Sequence, residues 1–239
     1  MTAPLKTVGL LGGMSAEATK EYYRLINDGV QRELGGHNSA ELLISSVNFQ
    51  MIEQFIKGGQ WEAAGVYLAE KARGLEAGGA ECLLLCTNTM HKVSAAVEAA
   101  ITIPFIDIFE VTAHAVNQAG LRRIGLLGTY PVMSDPFFAG LYAGHGLEIM
   151  VPDEADRREI DRIIFDELCL ERFTTEAKSH FLKVMDDLSS RGAEGIILGC
   201  TEINLIVSQS DAPATPLFDT TALHCAAAVA LTLGREWDN

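Results

Sequence analysis

The chain has 239 residues, 48% apolar and 21% charged, with a formal net charge of −14. That balance suits one large globular domain or two small ones, and the acidity argues against nucleic acid and anionic membrane surfaces as partners. No apolar run approaches a membrane span; five cysteines without paired spacing, and no signal-peptide pattern in Met1–Lys6, lead us to expect a reduced, cytoplasmic protein.

In chain order, Lys6–Leu11 reads as a short strand broken by Gly12-Gly13-Met14-Ser15, with Ser15 as a helix N-cap. Ala18, Tyr22, Ile26 and Val30 then recur at helical spacing. Glu41–Phe49 reads as a second strand, and two helices follow, stopped by Gly58-Gly59 and Gly78-Gly79. The apolar run Cys82–Cys86 reads as a buried parallel strand, handing over at Thr87-Asn88-Thr89 to a helix over about His91–Ala100. Ile103–Asp107 is a fourth strand, and a helix over about Phe109–Ala119 follows. Later segments read as a strand at Leu147–Val151, helices at Ala155–Leu168 and Thr175–Ser190, a helix after Glu202, and a last helix from about Thr221 to Leu233. Ser134-Asp135-Pro136 has the form of an N-cap followed by proline at the helix start.

The second half repeats the first. Thr7–Gly13 matches Arg123–Thr129 at an offset of 116 (123 − 7). Glu81 matches Glu194 at 113 (194 − 81), and Pro104–Asp107 matches Pro216–Asp219 at 112 (216 − 104). Three matches in the same order imply a tandem duplication of a four-stranded parallel α/β unit. Right-handed crossovers put the loops on the carboxyl edge of each sheet, where open α/β folds bind ligands. The repeat lays Thr87 on Cys200 (200 − 87 = 113). The expected fold class is therefore α/β, two similar four-stranded parallel units with the active site in the cleft between them. The expected division is 1–110 with 220–239, and 111–219.

Gly9-Leu10-Leu11-Gly12-Gly13 lacks both the Gly-x-Gly-x-x-Gly spacing and a P-loop lysine, which argues against a nucleotide site. A tight glycine turn accounts for it; alternatively Met14 and Ser15 offer N–H donors to a carboxylate. Cys82, Cys86, Cys169 and Cys225 fall among apolar neighbours, the last two on helices, and read as core. Cys200 differs. It stands at a strand end before an expected helix, whose N-terminus would lower its pKa, and is a candidate nucleophile or base. His91 and His224 have no metal-ligand spacing and read as packed or capped, with His91 alternatively supporting the residues beside it. Arg157-Arg158 reads as helix surface, or as a substrate clamp if its helix leans over the cleft.

Gly12-Gly13-Met14-Ser15, Thr87-Asn88-Thr89-Met90-His91 and Gly199-Cys200-Thr201-Glu202 together resemble the aspartate/glutamate racemase family, over essentially the whole chain. The resemblance implies proton transfer at an amino-acid α-carbon by two cysteines on opposite faces, with no pyridoxal phosphate and no metal. It also implies a small-molecule amino-acid substrate and, by analogy, a homodimer. The family's first cysteine is replaced here by Thr87, and Cys86 is one residue too early, on the other face of its strand. The resemblance thus implies Cys200 as base and Thr87 as proton donor, an asymmetric pair, acting on aspartate or glutamate. Met14, Ser15, Gln50, Asn88, Thr89, Thr129, Thr201 and Glu202 are the expected substrate contacts. A malonate-type decarboxylase using Cys200 alone, and a silent amino-acid-binding homologue, are the competing expectations.

Overall fold

The computed structural model describes residues 5–237. The chain forms two compact units: residues up to Ile108 together with those from His224 onward, and Phe109–Leu223. Each has its own four-stranded parallel sheet, with matching strand order.

In the first unit β1 (Val8–Gly12) is central, between β2 (Leu42–Ser46) and β3 (Cys82–Leu85), with β4 (Phe105–Ile106) beyond β3. Leu10 pairs with Ile44 on one side and Leu84 on the other, and Leu84 pairs with Ile106. Every residue of β1 and β3 is buried, whereas the edge strand β2 is partly exposed. That is the burial expected when helices cover both faces of a parallel sheet. The helices are α1 (Ala16–Leu34), α2 (Phe49–Lys57), α3 (Trp61–Ala77) and α4 (Ser94–Glu98). On α1 the buried residues include Ala18, Tyr22, Ile26 and Val30, one per turn, and Ser15 caps its start through its side chain. A separate core joins Leu11, Leu83 and Leu85 of the sheet to Ile52, Leu68 and Leu75 of α2 and α3.

The chain enters the second unit through α5 (Ile108–Gln118). Its sheet runs β6 (Glu148–Met150), β5 (Arg123–Gly128), β7 (Gly195–Gly199), β8 (Leu217–Asp219). Its helices are α6 (Tyr130–Ser134), α7 (Pro136–Gly144), α8 (Glu154–Asp166) and α9 (Thr175–Ser190). Asp135 caps α7 with Pro136 following, as the sequence suggests. Leu127, Ile196 and Leu198 pack with Ile163, Phe181 and Leu188 into this unit's core. The last helix, α10 (Thr220–Thr232), begins in the second unit and returns to the first.

The duplication is legible down to single hydrogen bonds. Glu81 N donates to Thr7 O at 2.8 Å, and Glu194 N to Arg123 O at 2.7 Å. Leu83 N meets Pro104 O at 2.9 Å, and Ile196 N meets Pro216 O at 2.8 Å. The Glu81 carboxylate accepts from Thr7 N and the Glu194 carboxylate from Arg122 and Arg123 N, so one acidic residue closes the start of the central strand in each unit.

Several expected boundaries move. The second strand stops at Ser46, because Asn48 accepts from Gln50 N and starts α2 at Phe49. The helix expected over His91–Ala100 is a 3₁₀ turn at Thr89–Val93 followed by the single short α4. The helix expected after Glu202 is absent: two 3₁₀ turns, Ile203–Leu205 and Gln209–Asp211, stand there instead. The helix expected to run to Leu168 ends at Asp166, and Cys169 lies in a separate 3₁₀ turn, Leu168–Leu170.

Gly13 joins β1 to α1 at φ 87°, and a Cβ built there would stand 2.3 Å from the Val47 carbonyl oxygen. Gly36 also has positive φ, 61°, but faces open space. Gly13→Ala is expected to destabilise by about 3 kcal/mol or more, combining left-handed strain with a backbone clash. Gly36→Ala should cost about 1 kcal/mol, from strain alone. Denaturant midpoints of the two variants check this; equal losses would contradict it.

Candidate active site

Because β1 and β3 are parallel neighbours, the loops that follow them share one edge of the first sheet. The first loop is clasped by Thr19, whose Oγ1 accepts from Gly13 N at 2.7 Å and donates to Ser15 O at 2.8 Å. Ser15 Oγ accepts from Ala18 N at 3.2 Å, and Met14 and Ser15 are both buried. The second loop holds Thr87, Asn88 and Thr89, also buried. Gln50, unlike these buried residues, is exposed, in the first turn of α2, and its amide donates to Glu53.

The backbone of Thr87 is held from both sides. Its N–H donates to Leu85 O at 2.8 Å, and its carbonyl accepts from His91 Nδ1 at 2.6 Å. A carbonyl only accepts, so His91 carries its proton on Nδ1, leaving Nε2 to accept from Ile108 N at 3.4 Å. A second buried histidine stands beside it with ring centroids 6.2 Å apart. His224 donates from Nε2 to Ile106 O, and its Nδ1 accepts from the Tyr22 hydroxyl, both at 2.8 Å. The two rings are thus opposite tautomers, each fixed by a carbonyl. Burial lowers the pKa of His91, against the opposing pull of Asp107. Burial, then the neighbouring His91, lowers that of His224 to about 3. The sequence alone gave no sign of the Tyr22–His224 pair, because 202 residues separate its members.

In the second unit β5 and β7 are the parallel neighbours, and Thr129, Cys200, Thr201 and Glu202 follow them, all buried. The Cys200 thiol donates to Glu202 Oε2 at 3.0 Å, and Thr201 Oγ1 donates to the same oxygen at 2.7 Å. Cys169 Sγ lies 3.6 Å from Glu202 Oε1. Glu202, expected to contact substrate, thus has its carboxylate turned to the thiol of its own loop, and Thr201 has its hydroxyl turned to Glu202.

The thiol's state also differs from expectation. With a three-residue 3₁₀ turn in place of a helix, no helix N-terminus stabilises a Cys200 thiolate. Burial, then the Glu202 carboxylate, then Cys169, push the Cys200 pKa well above the ordinary thiol range. The resting thiol is therefore protonated, with the Glu202 carboxylate 3.0 Å away. Cys86 is fully buried with its pKa raised by burial, and burial raises that of Cys82 to about 11. Arg158 is exposed and pairs with Glu154, whereas the partly buried Arg157 reaches both Ser134 and Glu154. The described residues contain no cluster of three or more metal-ligating side chains, and no helix among them is long and apolar enough to cross a membrane.

Two similar parallel α/β units, each with polar residues at the carboxyl edge of its central strands, are the architecture of a known enzyme family. The chain belongs to the Asp/Glu/Hydantoin racemase family, whose model matches residues 11–228. It is accordingly an amino-acid racemase, an isomerase of the kind that works without pyridoxal phosphate. A Yersinia pestis structure classed with the Asp/Glu racemases is 44% identical, with 96% of this chain and 100% of that one covered and a TM-score of 0.88. An aspartate racemase homologue from Pyrococcus horikoshii is 31% identical over 95% and 99% of the two chains, with a TM-score of 0.81. The broad specificity amino-acid racemase RacX of Bacillus subtilis is 20% identical over 219 residues, 90% of this chain and 93% of that one.

The two histidines make a pH prediction. Both have folded pKa values below the ordinary 6.5, so the unfolded chain binds more protons than the folded one below that pH. Their neutral forms are fully accommodated above 6.5, and stability should fall as pH drops from about 6.5 towards 3, by up to about 1.4 kcal/mol per pH unit for each. The window from about pH 6.5 to 5 lies above ordinary carboxylate titration and isolates this effect. Unfolding free energies measured across that window check it, and a stability that holds level or rises on acidification would refute it.

Proposed function

We propose that this racemase acts on an acidic amino acid, aspartate or glutamate or both, with Cys200 as base, Thr87 as donor to the opposite face, and no cofactor. The observation that carries the reading is the Glu202 carboxylate 3.0 Å from the Cys200 thiol. At the repeat-equivalent position the first unit has Thr89 (202 − 113), a hydroxyl, which makes no comparable base for Thr87. Only one half of the pair is equipped to take a proton.

The steps balance as follows. The Cys200 proton passes to Glu202, and the thiolate takes the substrate α-proton, leaving a carbanion delocalised into the carboxylate. Thr87 O–H delivers a proton to the opposite face as the charge develops, and regains one from solvent. Cys200 is again a thiol, and Glu202 returns its extra proton to solvent. Met14, Ser15, Asn88, Thr89, Thr129 and Gln50 complete the proposed substrate contacts. In a chain of net charge −14, an anionic substrate must be held by such local donors. A cytoplasmic homodimer belongs to the same reading, by likeness to the family.

Deuterium wash-in at the α-carbon in heavy water separates the alternatives. A racemase exchanges with inversion, a binding protein shows no exchange, and a decarboxylase consumes a malonate. Cys200→Ser should lower exchange by at least about a hundredfold, while Cys86→Ser should leave most of it. The reverse ranking would show the first motif to be misregistered by one residue.

Thr87 makes the enzyme asymmetric in rate. The equilibrium between enantiomers stays one to one, so the asymmetry lies in kcat and saturation. Thr87→Cys restores a thiol pair at nearly constant volume and should raise kcat in the slow direction by at least about tenfold, or roughly 1.4 kcal/mol of barrier. Chiral chromatography of both directions measures it. An unchanged or lower slow-direction kcat in a folded variant would remove Thr87 from the reaction.

A further inference from the structure

Cys169 lies outside the family motifs, and its position follows from the fold. It sits in the 3₁₀ turn after α8, closed by Glu171 in the left-handed conformation, with Leu168 fully buried in the second unit's core. That turn carries the Cys169 thiol to 3.6 Å from Glu202 Oε1, across 33 residues of sequence. A carboxylate oxygen only accepts, so the thiol is the donor. The other oxygen, Oε2, accepts from Thr201 and Cys200. The two ends of one buried carboxylate are therefore addressed from different segments of chain. Rotating the carboxylate about its last bond would forfeit the bonds at both ends. The titratable groups acting on this arrangement are Cys200 and Cys169 themselves and, from α8, Asp161, which together with burial and Glu202 keeps Cys169 protonated.

We infer that Cys169 is a positioning residue for racemisation: its thiol holds the Glu202 carboxylate in the orientation that receives the Cys200 proton. This rests on the reading of Cys200 as the base. In this role Cys169 acts through Glu202.

The test measures α-deuterium wash-in, with kcat and KM, on both enantiomers of aspartate and glutamate. It compares wild type with Cys169→Ala, Cys169→Ser and Cys200→Ser. Cys169→Ala should lower kcat with KM changed less than about twofold. Cys169→Ser retains a donor and should bring back the rate. An unchanged kcat in Cys169→Ala, a KM that moves with it, or no recovery in a folded Cys169→Ser would reduce Cys169 to packing and overturn the inference. If the alanine variant fails to fold, Cys169→Val fills the space without a donor and must show the same loss of kcat. Exchange surviving in Cys200→Ser would remove the reading beneath; Cys200→Ser inactive with kcat unchanged in Cys169→Ala overturns this inference alone.

Discussion

A thiol and a carboxylate buried 3.0 Å apart form the contact on which the proposed chemistry depends. Burial, then that carboxylate, push the Cys200 pKa well above the ordinary thiol range, so the sulfur is protonated at rest. On the proposed reading, a bound substrate would change this by excluding water and placing an acidic C–H against the thiol, and the base would be made on demand rather than stored as thiolate. The same arrangement would spare Cys200 from oxidation and alkylation at rest, because thiolate is the reactive species.

The duplicated fold supplies the setting for that contact, and its two copies have diverged at the strand ends where the proposed chemistry lies. The strand-start carboxylates Glu81 and Glu194 and the backbone bonds beneath them match closely. At the strand ends the copies part. Cys200 and Glu202 correspond to Thr87 and Thr89, and His91 to Asn204 (204 − 91 = 113). Each of that last pair reaches the end of the last strand of its own sheet or just beyond: His91 accepts from Ile108 N, two residues past β4, and Asn204 donates to Asp219 of β8. The same tie is made by different chemistry in each unit. The first unit makes it with a histidine whose pKa burial lowers, the second with an amide.

Much of this was legible before the structure. The repeat predicts two four-stranded sheets, and the apolar runs locate the buried strands, because parallel sheets covered on both faces leave a strong sequence trace. Ser15 and Asp135 announce helix starts by residue type. The carboxyl-edge motifs place Thr87, Asn88, Thr89 and Cys200 at strand ends, where they stand. What was not legible depends on long-range contact. Cys169 reads as an apolar helix residue, and only the turn after α8 brings it to Glu202. The segment after Glu202 reads as a helix; the structure makes it two 3₁₀ turns, so the helix terminus expected to lower the thiol's pKa is missing, and burial with Glu202 raises it instead. The strand read to Phe49 runs too far because the apolar Val47 and Phe49 extend its pattern across Asn48, whose side chain caps α2.

The first unit is discontinuous in sequence, and α10 is what completes it. Lys6 N donates to Thr232 O at 3.2 Å, Arg235 pairs with Glu33, and Val229 packs so closely on α1 that a Cβ at Gly29 would stand 2.7 Å from it. Segments near both ends of the chain are therefore in contact within one unit. Joined there and opened just after Ile108, the same fold would read as two uninterrupted domains in tandem. The interruption is a matter of where the polypeptide is cut open, not of topology. A truncation that removed α10 would take away the tail in sequence but the inside of the first unit in space, stripping His224 from Tyr22 and from the Ile106 carbonyl at once.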